Sequence, residues 1–340
     1  MREKAHQKKL GNVLATHLLP PINTFFKFIE IYPLMNLNSK NQTILVKSKT
    51  GFFIFNSTNY KCLFITFSLF VFISCSTTKI AYNFANVVII NWFESYFDFR
   101  DEQRLDLKKK VGQFFDWHRK SELPKIVFFL EEFKTRHNDG FLEEDIKWFR
   151  SELNFFWKRI LNHTKKDMIS FLLTVDDSQI LEMNKEFQEK VDDRLIKQSK
   201  MTLKELRQDI LERTYNNLDN WLGDVEPSQK KRIAGWIQPD PYWVAVKLRN
   251  REKFQNDLID LLRSKETLKQ NTQSWMSDPE SHWTAEYKVY VNKKMNEWES
   301  ITLKIDSIIL PEQRKYITDK LDGIIFDIKE LSDIREPLKN

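Results

Sequence analysis

His118 stands four residues after Phe114 and four before Glu122, with Arg119 beside it. On a helix, this spacing puts an imidazole, a guanidinium and a carboxylate within about two turns of one another. Two kinds of chemistry are open to such a set. As a buried polar cluster it could carry a proton or hold an anion, and a hydrolase would draw on His118 and Glu122. As a structural corner, His118 and Arg119 would bond the last carbonyls of their helix just before Pro124 opens the next. Trp117 would then be buried, and neighbouring carbonyls or Glu122 would tie down the two charges. One His with no nucleophile nearby in sequence favours the structural reading.

Other chemistries find little support. His137, His163 and His282 are far apart, with no His-x-x-x-His and no Cys-x-x-Cys, so no metal site is expected. The acid pairs Glu131-Glu132, Glu143-Glu144, Asp176-Asp177 and Asp192-Asp193 read as solvated helix faces and caps. There is no Gly-rich phosphate loop and no Gly-x-Ser-x-Gly elbow. The aromatic residues are a stronger signal. Trp236, Trp243, Trp275 and Trp283 crowd a short region with Pro239, Pro241 and Pro279. They pack between helices, or else Trp236, Trp243 and Trp283 line an apolar groove for an extended peptide or a lipid.

The elements that position these residues are helices. Gly is scarce, with seven in 340 residues, and sheet-rich folds need many Gly-containing turns. Apolar residues recur at helical spacing, as in Ile146, Phe149, Leu153, Phe156 and Ile160, or Ile317, Leu321, Ile324, Ile328 and Leu331. The pattern predicts helices over residues 80–97, 101–121, 124–137, 142–165, 177–199, 203–222, 227–237, 241–264, 279–305 and 311–331. Thr202-Leu-Lys-Glu205 and Ser277-Asp-Pro-Glu280 read as capping boxes. Pro227, Pro279 and Pro311 suit the first helical position, and Gly140 and Gly223 suit helix ends. One start signal recurs as apolar-x-(Asp or Pro)-x-Gln: Phe99 to Gln103, Val175 to Gln179, Val225 to Gln229 and Ile309 to Gln313. Each Gln would sit at the third helical position and reach back to the free N–H of the cap. The spacings of 76, 50 and 84 residues exclude a solenoid of fixed period. They leave open whether the signal marks four ordinary caps or a duplicated unit. The expected fold is all-α, a multi-helix bundle of two lobes, residues 75–201 and 202–340, sharing a core.

The N-terminal region reads differently. Of 54 Lys and Arg and 48 Asp and Glu, residues 1–75 hold nine and two, which leaves 45 and 46 after Cys75. The folded part therefore lacks the excess positive charge that phosphate backbones require, and nucleic acid is set aside. The two cysteines, Cys62 and Cys75, both precede the helical body, which then has no disulfide and no oxidisable thiol. Lys61 precedes an apolar run from Cys62 to Ile73, the length of a signal-peptide core and too short to span a bilayer. Phe72-Ile-Ser-Cys75 resembles the lipobox of bacterial lipoproteins, with Phe72 where Leu is usual. That resemblance implies residues 59–74 as a cleaved signal peptide and a diacylglycerol and acyl chain on Cys75, with no other cofactor. Ser76 stands where Asp would retain a lipoprotein at the inner membrane, which implies the periplasmic face of the outer membrane of a Gram-negative cell. Residues 1–58 are longer than a signal peptide needs before its core. Either translation starts nearer Lys61 and residues 1–58 are a mis-assigned start, or they form a leader extension poorly packed against the helical body.

Three blocks carry a wider resemblance: Cys75-Ser-Thr-Thr-Lys-Ile-Ala-Tyr82-Asn83, Asn91-Trp92-Phe-Glu-Ser-Tyr96-Phe-Asp98 and Trp117-His118-Arg119-Lys-Ser-Glu122-Leu123-Pro124. Together they resemble a bacterial lipoprotein family, domain of unknown function 6279, expected from Cys75 to the chain end. Phe84 and Phe93 stand where a second Asn and a second Trp are expected. The resemblance implies an envelope location and a helical body, and carries no activity. The four Gln signals are also similar to the Leu-Thr-x-x-Gln motifs of periplasmic stress chaperones, with the Thr absent from all four. The expectation is a non-enzymatic, lipid-anchored protein that binds envelope proteins or peptides in a chaperone-like way. The alternatives are an envelope hydrolase using His118 and Glu122, and a purely structural lipoprotein.

Overall fold

The computed structural model describes residues 77–189 and 193–332. Residues 1–76, with Cys75, the apolar run and the expected leader, lie outside them. Among the described residues every regular element is a helix. They are α1 (Thr77–Glu94), α2 (Asp101–Trp117), a π turn (His118–Glu122), α3 (Leu123–Asn138), α4 (Glu143–Leu172), α5 (Asp177–Glu189) and α6 (Asp193–Ser199). There follow α7 (Leu203–Leu222), α8 (Pro227–Trp236), α9 (Pro241–Arg263), α10 (Leu268–Ser277), a short 3₁₀ turn (Pro279–His282), α11 (Ala285–Asp306) and α12 (Pro311–Leu331).

Several ends form as the local residues dictate. Thr202 accepts from the Glu205 N–H at 3.3 Å while Glu205 accepts from the Thr202 N–H at 2.8 Å, closing the expected box. Gly140 and Gly223 end their helices at φ of 88° and 84°, where a side chain would strain the backbone. The box at Ser277–Glu280 does not form. Pro279 opens only the 3₁₀ turn, and α11 starts at Ala285, where Thr284 accepts from the Tyr287 N–H at 3.1 Å. An unexpected helix, α10, precedes it. Its fully buried Leu268 and Thr272 pack it against α4 and α9, so tertiary burial holds a segment with weak periodicity of its own.

The four Gln signals act in pairs. Gln103 and Gln179, both buried, exchange amide hydrogen bonds of 3.1 and 2.8 Å. Gln229 and Gln313 do the same at 2.8 and 2.9 Å. Each Gln oxygen also caps its own helix, accepting from the N–H of Arg100, Asp176, Glu226 or Leu310. Each amide nitrogen reaches across to a carbonyl before the partner helix: Thr174, Asp98, Ile308 or Asp224. The same arrangement thus occurs twice, which favours a duplicated unit over four independent caps.

Core packing crosses Met201. Phe171 and Met183 cluster with Ile259, Leu262 and Leu268. Leu123 and Val127 cluster with Ile325 and Ile328. Leu130 and Phe133 lean on Leu211, Leu222 and Ile317.

Candidate functional site

The Trp117–Glu122 block does not end a helix. α2, the π turn and α3 run as one rod from Asp101 to Asn138. Pro124 lacks an N–H, and its ring would clash with the carbonyl one turn back in a regular helix. The wider turn relieves this: Leu123 donates to the His118 carbonyl, five residues behind it. The extra residue in the turn also directs consecutive polar side chains toward different helices.

His118 points at α1, where its Nδ1 and the Tyr82 hydroxyl share a 2.9 Å hydrogen bond. Arg119 donates to Asn83 Oδ1 at 2.8 Å and lies 5.4 Å from the Tyr82 ring centroid. Neither caps the helix carbonyls nor pairs with Glu122, which corrects the sequence expectation. The rod continues through this point, so it has no terminal carbonyls to satisfy. Glu122 is 2% exposed and points at α4. Arg159 grips it with both nitrogens, Nε at 2.8 Å and Nη2 at 2.6 Å, and Lys125 adds a bond at 3.1 Å. Trp117, expected to be buried, is part-buried: one ring face lies flat on His163 of α4 at 3.7 Å between centroids and 6° between planes.

The electrostatics follow from burial. Desolvation pushes His118 down to about 4, with Glu122 pulling weakly the other way. Desolvation raises Tyr82 to about 12 against the opposing Arg119 charge. Both groups are therefore neutral at pH 7. Burial alone would raise the Glu122 carboxyl, but the hydrogen bonds from Arg159 and Lys125 hold it below the usual range. The result is a neutral Tyr–His pair facing α1 and an ion-paired carboxylate facing α4. Three hydrogen bonds from two cations engage Glu122, and His118 bonds Tyr82 instead. Among the described residues, no group of three His, Cys, Asp or Glu is placed to hold a metal. An open acidic cleft of about 590 Å³ lies beside the first Gln pair, lined by Glu94, Asp98, Asp176, Glu182 and Glu186 among others. It takes no residue from the His118 cluster.

The tryptophans separate. Trp236 packs against Ile233, Leu211 and their neighbours in the α7–α8–α12 core. Trp243 and Trp283 belong to a different cluster, on α9 and at the start of α11. Trp283 is buried there with its ring edge-on to Tyr287 at 5.1 Å, so it supports a surface and does not form one. Above it runs a ladder that includes two tyrosines the sequence reading passed over. Trp243 stacks on Tyr287 at 5.4 Å and 17°, and lies 6.3 Å from Tyr290 at 10°. Tyr290 meets Tyr242 at 5.1 Å. Tyr242 is 50% exposed and Val289 67% exposed. Lys247, Arg249 and Lys293 lie over Trp243, Tyr242 and Tyr290 respectively. Arg249 also holds Glu286 at 2.8 and 3.0 Å, and Tyr242 donates to the same carboxylate. In sequence, Tyr242 and Tyr290 stand next to Trp243 and Val289, but nothing local says that α9 and α11 lie side by side.

No curated protein matches this chain, and no solved structure does. Residues 95–288, more than half of the chain, match the family of unknown function DUF6279. The match is narrower than the Cys75-to-end span expected from the motifs; it covers the Trp117–Pro124 block, Trp236, Trp243, Trp283 and three of the four Gln signals, and stops two residues short of Tyr290. A helical body carrying these features over the matched span belongs to the DUF6279 family.

Proposed function

We propose that the chain from Cys75 onward is a lipid-anchored protein on the periplasmic face of a Gram-negative outer membrane, and that it works by binding extended polypeptide, without catalysis. The observation that carries the binding reading is the part-exposed aromatic ladder of Tyr242, Trp243 and Tyr290. Aromatic and apolar side chains on one helix pair, with Lys and Arg at their edges, suit the mixed apolar and polar surface of an unfolded chain. Burying what these three side chains still expose contributes at most ~2 kcal/mol each, and further contacts along an extended client must add to this to offset the cost of association. The doubly bonded Glu122 and the inward-turned, neutral His118 weigh against a hydrolase built on that pair.

The anchor reading is supported by the order Lys61, apolar run, Ser74, Cys75, and by Ser76 in place of Asp. Two or more acyl chains on one Cys hold a protein stably where a single chain would not. Cys75→Ala should move the protein from the membrane fraction to the soluble periplasm or leave it as precursor. Equal palmitate labelling of wild type and variant would refute the anchor. For the binding reading, a photo-crosslinking residue at Tyr242 or Tyr290 should capture polypeptide in living cells under conditions that unfold envelope proteins, and one at Leu105 should not. Capture that is equal at all three positions would reject the ladder as the binding surface.

A further inference from the structure

α1 carries an outward face of unusual composition for this chain. Its inner side is built in: Ala81 is fully buried, Tyr82 joins the α3–α12 cluster and Ile90 the α2–α5 cluster. Its outer side carries Ile80, Phe84 and Val87 at helical spacing, on one face. Phe84 is 46% and Val87 43% exposed, Asn86 and Asn91 are exposed beside them, and Asn83 at the edge of the face carries the hydrogen bond from Arg119. Between Lys79 and Glu94 the helix holds no charged residue, in a chain that is 30% charged overall. At the start of α1, Lys79 pairs with Glu330 and lies over the ring of Phe326, itself an exposed side chain of α12.

We propose that this face of α1 rests on the phospholipid bilayer, seating the domain against the membrane. The proposal deepens the anchor reading and rests on it. Only Ser76 separates Cys75 from the first residue of α1. Extended chain covers at most about 3.5 Å per residue, so acyl chains on Cys75 would hold the start of α1 within roughly 10 Å of the lipid. The tether brings the start of α1 to the headgroup region, and its uncharged face with Phe, Val and Ile, which fits the boundary between headgroups and acyl chains, favours the helix lying along that surface. It lies on the membrane and does not cross it, because among the described residues no helix is long and apolar enough to span a bilayer.

The test uses the mature lipidated protein reconstituted into vesicles of phosphatidylethanolamine and phosphatidylglycerol. Single variants Phe84→Cys, Val87→Cys and Leu142→Cys are labelled with an environment-sensitive fluorophore and challenged with nitroxide-bearing lipid. Leu142 is the control: it is exposed, and the α3–α4 turn beside it meets Arg314, sixteen residues along α12 from Glu330, or about 24 Å at 1.5 Å per residue. The expected result is quenching at least threefold stronger at 84 and 87 than at 142, with unchanged circular dichroism. Equal, weak quenching at all three positions, in protein that carries its acyl chains by mass spectrometry and floats with the vesicles, overturns the proposal and leaves the anchor standing. Quenching that follows protein density and not nitroxide lipid assigns the face to a second copy and also overturns it. Protein that carries no acyl chains and does not float refutes the anchor reading, and this proposal falls with it.

Discussion

Arg159, midway along α4, closes on the buried Glu122 of the π turn through Nε at 2.8 Å and Nη2 at 2.6 Å. The two partners are unequally buried: the Glu122 side chain is 2% exposed and that of Arg159 33%. Removing either should therefore cost different amounts. Arg159→Ala strands a buried carboxylate with only Lys125 and should destabilise by ~3–5 kcal/mol. Glu122→Gln leaves a guanidinium that water can still reach and should cost less, roughly 1.5–3 kcal/mol. Urea denaturation of both variants and the double variant measures this. Equal losses, or an additive double variant, would show that the pair is not the coupled unit described.

The Gln pairs make a second prediction. Gln229→Leu removes a partner from the Glu226 N–H, the Ile308 carbonyl and the Gln313 amide at once. Groups left unpaired cost about 1–3 kcal/mol each, and three are affected, so a loss of at least ~3 kcal/mol is expected. Gln103→Leu should cost a similar amount: it loses the same three kinds of bond and one more to Thr174 Oγ1 at 3.1 Å, while the Thr174 carbonyl keeps Arg100 at 2.8 Å. A loss confined to one pair, read in thermal melts, would argue that the other contributes no stability.

Stability should fall as the medium is acidified from neutral. Burial lowers His118 from 6.5 to about 4 in the folded chain. Between those values the unfolded chain binds more protons than the folded one, so stability is full above pH 6.5 and is lost as pH falls towards 4. At 1.36 kcal/mol per unit, His118 alone accounts for about 3 kcal/mol. His137, His163 and His282 are also lowered, chiefly by burial, and act in the same direction. His118→Gln keeps a partner for Tyr82 without titrating, and should flatten that loss by a measurable fraction in chemical denaturation at pH 7 and pH 4.5. An unchanged slope would contradict the burial of a neutral His118.

Gly140→Ala should destabilise by at least ~1 kcal/mol, because φ is 88° and a Cβ there would sit 3.2 Å from Asp306 Oδ2. That carboxylate accepts from the Phe141 N–H and holds Arg314, which in turn donates to the His137 carbonyl. The turn between α3 and α4 is tied to α12 through this set. Calorimetry showing no change in melting temperature would refute the constraint.

Local features of the fold were legible in sequence, and features depending on distant contacts were not. The Gln of each start signal lies three residues from the N–H it caps, so its reach follows from spacing alone. Its partner lies 76 or 84 residues away, and no local rule selects it. Pro124 read as a helix start because proline normally breaks a helix, and the π turn that carries the rod past it leaves no compositional mark. Helix α10 was missed because its apolar residues are few and its burial comes from α4 and α9. At the site, a buried Glu requires a cationic partner, yet nothing in the chain singles out Arg159 among 54 Lys and Arg. The tryptophans were visible as a crowd, but burial of Trp283 and removal of Trp236 to another cluster could be seen only once the helices were packed.

The central claim, that the domain binds unfolded polypeptide through apolar contact at the aromatic ladder, is tested most directly by fluorescence titration of purified residues 76–340 with a permanently unfolded client. Near-zero net charge after Cys75 and an aromatic contact surface predict binding whose Kd changes less than threefold when salt is raised to about 0.5 M, where charge–charge forces are screened beyond a few ångströms. Tyr242→Ser combined with Tyr290→Ser should weaken it by about tenfold or more, as expected for losing two aromatic contacts. No binding at any salt, or binding that disappears at about 0.5 M salt, would contradict the account and leave a purely structural lipoprotein as the better reading.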